Sequence, residues 1–107
     1  LLNPKGNVGL DEELTGSSMC TDYPTCSGGV ITVGYQKVAL VVSTSYASGS
    51  ALTASPVEYE LNVPKPITGT PTTRNNWWGI LIPTGTTSGA YSGSNTITAV
   101  KGETVSW

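Results

Sequence analysis

Carboxylates are the only side chains in this sequence whose spacing suits catalysis. The chain contains no histidine, so Ser-His-Asp and Cys-His arrangements are impossible, and no Ser–Lys motif takes their place. Glu58 and Glu60 share one face of an alternating segment, roughly 6.5–7 Å apart along the backbone, which is near the carboxylate separation of a glycosidase. Alternation places both on an outer face, where charged residues are ordinary. We therefore predict no catalytic residues and no enzymatic activity.

A calcium site is the one metal site that the sequence suggests, at Asp11, Glu12 and Glu13, with Asp22 as a further ligand. Calcium takes several oxygen ligands, but this spacing matches no established calcium loop, and a solvated acidic turn is the simpler interpretation. A zinc site lacks ligands, because the chain has no histidine and only two cysteines. We expect no bound metal and no cofactor.

Cys20 and Cys26 flank a segment of five residues. In an extracellular protein such a pair predicts one disulfide that closes a local loop. The alternatives are a metal site, which lacks further ligands, and a redox pair, which usually has two intervening residues. A disulfide across so short a loop stabilises the fold by only about 2 kcal/mol, so it would fix the loop rather than hold the domain together.

Three tryptophans are the candidate binding or interface residues. Trp77 and Trp78 are adjacent, so in a strand they point to opposite faces. We expect one to fill the core and the other to lie outside, where it stacks on a sugar ring, docks on another subunit or is covered by a loop. Trp107 alternates with Val105 and is predicted to pack inward at the end of the last strand.

Composition favours one extracellular all-β domain. The 107 residues are the size of a single domain, β-branched and aromatic residues dominate the apolar set, and only 11% of the residues are charged. A net charge of −2 with five scattered basic residues argues against a nucleic-acid partner and against a polybasic membrane anchor. The longest apolar run, residues 38–42, is far shorter than the ~20 residues of a membrane helix.

Turn signals divide the chain into an irregular N-terminal segment, residues 1–29, and a β-rich remainder, residues 30–107. Within the first segment, residues 11–14 are predicted to form one helical turn that Gly16 ends. Six or seven short strands in the remainder predict an antiparallel, immunoglobulin-like β-sandwich. The predicted strands cover residues 30–35 and 37–46 (with a bulge near Gly34), 57–63, 77–82, 91–100 and 103–107, the last two joined by a Lys101-Gly102 turn.

The segment of residues 83–99 carries a family resemblance. A proline, a polar loop and Gly89-Ala90-Tyr91-Ser92-Gly93 lead into alternating Thr and Ile. This pattern resembles the penultimate strand of secreted bacterial immunoglobulin-like modules and is similar to the closing strands of pilin-like surface domains. The resemblance covers about the last third of the chain and implies that Tyr91 forms a tyrosine corner, with its hydroxyl bonded to backbone and its ring in the core. The family shares no catalytic site.

These observations predict a non-enzymatic extracellular structural protein, a subunit or module of a pilus-like filament or cell-surface layer. Its partners would be further copies of the chain or neighbouring surface domains, joined through strand edges or through the irregular N-terminal segment. The alternatives are a carbohydrate-binding module that holds a polysaccharide on an exposed tryptophan, and a virion surface domain.

Overall fold

The structure, a computed structural model, describes residues 1–102, and the strands dominate it. The predicted strand 103–107 and Trp107 lie outside the described residues. Two 3₁₀ turns, Val33–Tyr35 and Tyr46–Ser48, are the helical elements of the described part, and no helix there is long and apolar enough to cross a membrane. The strands are β1 (Leu2–Asn3), β2 (Leu10–Gly16), β3 (Met19–Cys20), β4 (Val30–Ile31), β5 (Gln36–Ala39), β6 (Ser50–Ala51), β7 (Val57–Val63), β8 (Thr72–Thr73), β9 (Trp77–Ile80) and β10 (Asn95–Lys101).

All strand pairs among residues 1–102 are antiparallel, which confirms the prediction of an all-β, antiparallel fold. Two three-stranded sheets carry most of the pairing, with the strand orders β10-β2-β7 and β6-β5-β9. The short pairs β1-β8 and β3-β4 form two smaller sheets. The two larger sheets meet at the core, because Leu14 of β2, Val38 of β5 and Leu52 pack together, with Val33 and Tyr59 against them.

The structure corrects the prediction for residues 1–29. Residues 11–14 do not form a helical turn; they belong to β2, the central strand of its sheet, which pairs with β10 on one side and β7 on the other. A single helical turn forms few hydrogen bonds for the residues it orders, whereas a central strand has a neighbour on both sides for its backbone. The N-terminal segment is therefore part of the sheet framework.

The other predicted strands within the described residues are present, and all of them except 57–63 are shorter than expected. Residues 57–63 form β7 over the full predicted range, whereas the long strand 37–46 is reduced to β5, which ends at Ala39. Beyond it Val41 and Val42 are exposed, and Ser43 adopts a positive φ of 63° that breaks the extended run. β10 begins at Asn95 rather than at residue 91.

Gln36 and Asn3 are buried polar side chains, and Gln36 connects the two larger sheets across a thin core. Gln36 of β5 donates from Nε2 to the carbonyl oxygen of Ser17 (2.8 Å), and Asn95 of β10 donates from Nδ2 to Oε1 of Gln36 (2.8 Å). Asn3 is likewise buried and donates to the carbonyl of Val8 (2.8 Å). Because buried polar groups are costly unless they are hydrogen-bonded, the two bonds of Gln36 restrict how the two larger sheets can sit against each other.

The molecule is elongated. Its principal extents are 52 × 27 × 21 Å and its radius of gyration is 16.4 Å, whereas a compact domain of 100 residues has a radius of gyration of about 13 Å. An extended body has much surface for its volume, which agrees with the small set of buried apolar side chains: Leu14, Cys20, Ile31, Val38, Leu52, Leu61 and Val63.

Candidate functional site

The best candidate site is the edge strand β9 with the residues that follow it. β9 pairs with β5 on one side, with Trp78 opposite Val38 and Trp77 opposite Ala39. Its other side has no strand partner among residues 1–102. Every residue of β9 is exposed, and the next two residues, Leu81 and Ile82, are exposed and apolar as well.

The prediction that one of the two adjacent tryptophans fills the core is wrong. Trp77 is 38% exposed and Trp78 is 41% exposed. They do point to opposite faces, since neighbours in a strand alternate. The space beside Val38 is occupied by Leu14 and Leu52, so Trp78 lies on the core-facing side of the sheet but beyond the residues that close the core.

On the outer face of β9, Trp77 borders a groove with a volume of about 220 Å³. Tyr46 forms its far side, held by a hydrogen bond from its hydroxyl to the carbonyl oxygen of Tyr35 (2.8 Å). The Nζ of Lys37 lies 4.7 Å from the centroid of the Tyr46 ring, a cation–π contact. Gly79 lets this ring approach the strand, since a Cβ there would lie 3.3 Å from Cδ2 of Tyr46. The groove thus offers two aromatic rings and one cation.

On the inner face, Trp78 and Ile80 border a second depression of about 240 Å³, which Gln36 and Gly79 also line. The indole Nε1 of Trp78 donates to Oδ1 of Asn76 (2.9 Å). Asn76 in turn donates from Nδ2 to Oε1 of the buried Glu12 (2.6 Å). This chain of hydrogen bonds connects the exposed tryptophan to β2 and holds its ring in place.

Glu12 also affects the core tyrosine. Burial raises the pKa of Tyr59 above its ordinary value of 10.0, and the negative charge of Glu12 raises it further. Alternation explains this contact, because Glu12 and Tyr59 are opposite each other in the β2-β7 pair and share the inner face. No sequence pattern indicates this contact, because the acidic run predicts a solvated turn for Glu12.

Cys20 and Cys26 form a disulfide, and its loop is organised by Asp22. The Asp22 carboxylate accepts hydrogen bonds from the backbone N–H of Ser27 (3.0 Å), from the Ser27 hydroxyl and from the backbone N–H of Gly28 (3.2 Å). The Ser27 hydroxyl, followed by these amides, lowers the pKa of Asp22 below 3.8. Asp22 therefore serves the loop and does not join the other acidic residues.

Tyr91, the expected tyrosine corner, packs beside the disulfide loop. Its hydroxyl donates to the carbonyl oxygen of Thr87 (2.7 Å), four residues upstream. Its ring lies close to Gly29, where a Cβ would collide with the tyrosine. The ring is half-buried and lies outside the core cluster of Leu14, Val38 and Leu52.

Three carboxylates converge at the pairing of β2 with β7. One oxygen each of Asp11, Glu58 and Glu60 lies within 4.8 Å of the others. The sequence indicated that Glu58 and Glu60 share a face, but it grouped Asp11 with Glu12 and Glu13. Strand alternation separates Asp11 from Glu12, and only the pairing of β2 with β7, which no local pattern reveals, brings Asp11 to the glutamates.

Comparison with known proteins gives no relative: no family model matches the chain, and the searches of curated proteins and of solved structures find no match. The functional argument therefore depends on the geometry described above.

Proposed function

We propose that this chain is a non-enzymatic extracellular structural protein, a subunit or module of a pilus-like filament or surface layer. It assembles when a β-strand of another copy pairs with the free edge of β9. The observation that carries this proposal is the exposed, apolar and unprotected edge formed by β9, Leu81 and Ile82.

An edge strand presents backbone N–H and C=O groups that another strand can bind. Natural proteins protect such edges with charged residues, prolines or bulges. Residues 77–82 contain no charge and no proline, and the first proline follows at position 83. Addition of a strand to this edge would pair its backbone and cover apolar side chains together, which is the usual mode of β-strand addition.

The arrangement of the two larger sheets also supports the addition of a strand from another copy. We infer that the two three-stranded sheets pack face to face as a β-sandwich, with an immunoglobulin-like arrangement of strands. In that arrangement Trp78 and Ile80 lie on the inner face beyond the core, so the inward side chains of a strand added beside β9 would pack against them. The low charge of the chain leaves little repulsion between copies, and a 52 Å long body suits a filament.

The disulfide and the composition support an extracellular or cell-surface location. Disulfides persist in oxidising, extracellular compartments, and a chain rich in Ser, Thr and Gly with 11% charged residues is typical of surface proteins. Adhesion through a filament or surface layer is compatible with both features.

Assembly can be tested by negative-stain electron microscopy over a concentration series. We expect the wild type to form regular filaments or sheets, and Ile80→Lys to abolish them, because a charged residue would be buried at the new strand pair. Ile97→Lys is the matched control, since Ile97 of β10 is also exposed (54%, against 47% for Ile80) but lies in the other sheet.

Two results would contradict the proposal. One is a wild type that stays as uniform small particles at every concentration. The other is an Ile80→Lys variant that assembles as well as the wild type and Ile97→Lys.

A carbohydrate-binding module is the second candidate, and the groove between Trp77 and Tyr46 favours it. Exposed aromatic rings beside polar groups suit the apolar face of a sugar ring. We expect Trp77→Ala to abolish retention on the polysaccharide that the wild type binds, whereas Tyr23→Ala, at an exposed aromatic residue outside the groove, should retain it. Failure of the wild type to bind any member of a broad glycan panel would exclude this function.

A further inference from the structure

One buried carboxylate oxygen of this fold lacks a hydrogen-bond partner. Asp11 is completely buried (0% exposed). Its Oδ1 accepts a hydrogen bond from the backbone N–H of Asn62 (2.6 Å), but no donor among the described residues reaches its Oδ2. An unsatisfied buried carboxylate oxygen is strongly destabilising, so its presence points to a ligand that satisfies it.

The backbone of β7 bulges opposite Asp11 and fixes the position of its carboxylate. Between the pairs Leu10–Val63 and Glu12–Tyr59, β2 contributes one residue and β7 contributes three, so β7 bulges around Asp11. Asn62 lies in this bulge with a positive φ of 58°, and its N–H is thereby directed at Asp11. Bulges commonly redirect side chains beside binding sites.

We propose that Asp11, Glu58 and Glu60 form a calcium site that fixes the β2-β7 pairing. One carboxylate oxygen from each residue lies within 4.8 Å of the other two. A divalent cation between three carboxylates this close is attracted to all of them. We infer that Asp11 contributes Oδ2, the oxygen that has no hydrogen-bond donor, as its ligand atom.

The ligand set selects calcium among common cations. All three ligands are oxygen atoms, which hard cations prefer, and the chain has no histidine to favour zinc or copper. Calcium–oxygen distances of about 2.3–2.6 Å allow ligands up to about 4.6–5.2 Å apart across the ion, whereas magnesium, at about 2.0–2.1 Å, allows only about 4.2 Å. Ligand atoms within 4.8 Å of one another lie inside the calcium range, and calcium also tolerates the irregular geometry of a strand-pair site better than octahedral magnesium does. Water molecules would complete the coordination.

The site is independent of the proposed assembly, because it lies on the β2-β7 pair and β9 contributes nothing to it. An ion that binds only the folded chain stabilises it by mass action. Calcium should therefore raise the melting temperature whether or not the chain forms filaments.

The test is isothermal titration of the full chain with calcium chloride, together with thermal unfolding in calcium and in a chelator. We expect saturable calcium binding and a calcium-dependent rise in Tm for the wild type. Asp11→Asn should weaken calcium binding roughly tenfold or more, because it removes a ligand charge. It keeps the shape of Asp11 and an oxygen to accept the Asn62 hydrogen bond.

A second variant and a control keep the test decisive. Glu60→Gln alters an exposed side chain, so this variant should fold. We expect it to lose calcium affinity to the same extent. If Asp11→Asn does not fold, the calcium affinity of Glu60→Gln tests the proposal alone. Asp22→Asn makes the same change of charge away from the cluster and should bind calcium like the wild type. Absence of saturable binding up to about 10 mM calcium, wild-type affinity in Glu60→Gln, or equal affinity for magnesium would overturn the proposal.

Discussion

Asp22 shows how one exposed carboxylate can organise a loop. It accepts three hydrogen bonds from Ser27 and Gly28, which bring the residues just after Cys26 back towards the start of the disulfide loop. All three donors favour the ionised carboxylate, and together they lower its pKa. The loop is therefore closed twice: by the Cys20–Cys26 disulfide and by the hydrogen bonds of the Asp22 carboxylate, which depend on pH.

We expect the Asp22 carboxyl carbon to titrate with a midpoint below 3.8, measured by NMR. Ser27→Ala should move the midpoint upwards, because the Ser27 hydroxyl is the largest cause of the lowered pKa. Ser48→Ala, at a hydroxyl that bonds Ser45 instead, is the control and should leave the midpoint unchanged. A wild-type midpoint at or above 3.8, or no change in Ser27→Ala, would contradict this account.

The sign of the effect on stability follows from the same pKa. Because the pKa is lower in the folded chain than in the unfolded one, the contribution of Asp22 is present above the unfolded pKa and is lost as the pH falls through the folded pKa. The side chain is solvated, so water screens much of the effect. We therefore expect acid to loosen the 20–29 region locally before it unfolds the chain.

Single residues differ in how far the sequence alone could predict their roles. The Cys20–Cys26 bond was predictable, because two cysteines close in sequence have few other uses in such a chain. The opposite faces of Trp77 and Trp78 were also predictable from alternation. Their exposure was not, because it depends on which side chains fill the space beside Val38.

Among the strands, β2 and β7 show where sequence patterns succeed and fail. β7 has a clean alternation of apolar and polar residues, and its bounds agree with the prediction. In β2 the apolar residues Leu10 and Leu14 are four apart, a spacing that places two residues on one face of a helix and also on one face of a strand. Glu12, which lies between them on the inner face and is buried, broke the alternation that would have revealed the strand.

Tertiary packing explains why β5 is shorter than the predicted strand. The apolar run 38–42 predicted a long strand, but only Val38 of that run lies in the core cluster. Val41 and Val42 remain exposed, and the Thr44 hydroxyl donates to the carbonyl of Val41 (2.6 Å) to form a turn. β-propensity thus indicated a strand, whereas its length was decided by the space available in the core.

At the scale of the whole molecule, the two sheets depend on the N-terminal segment. β2 lies at the centre of one sheet and supplies Leu14 to the core cluster that joins it to the other. The sequence predicts instead an irregular segment over the first 29 residues, which is one of two candidate means of reaching a neighbour, the other being strand edges. These two descriptions make opposite predictions for a truncated chain.

We expect a chain without residues 1–16 to show no cooperative thermal transition and no near-ultraviolet circular dichroism from its tryptophans. Its loss of β2 would leave β7 and β10 without their shared partner and would expose the inner faces of both larger sheets. Leu14→Ala provides the graded control: it should stay folded but lose about 2–5 kcal/mol in the free energy of unfolding. A truncated chain that unfolds cooperatively and keeps the wild-type spectrum would show that the segment is a detachable arm, and assembly through that arm rather than through β9 would then be favoured.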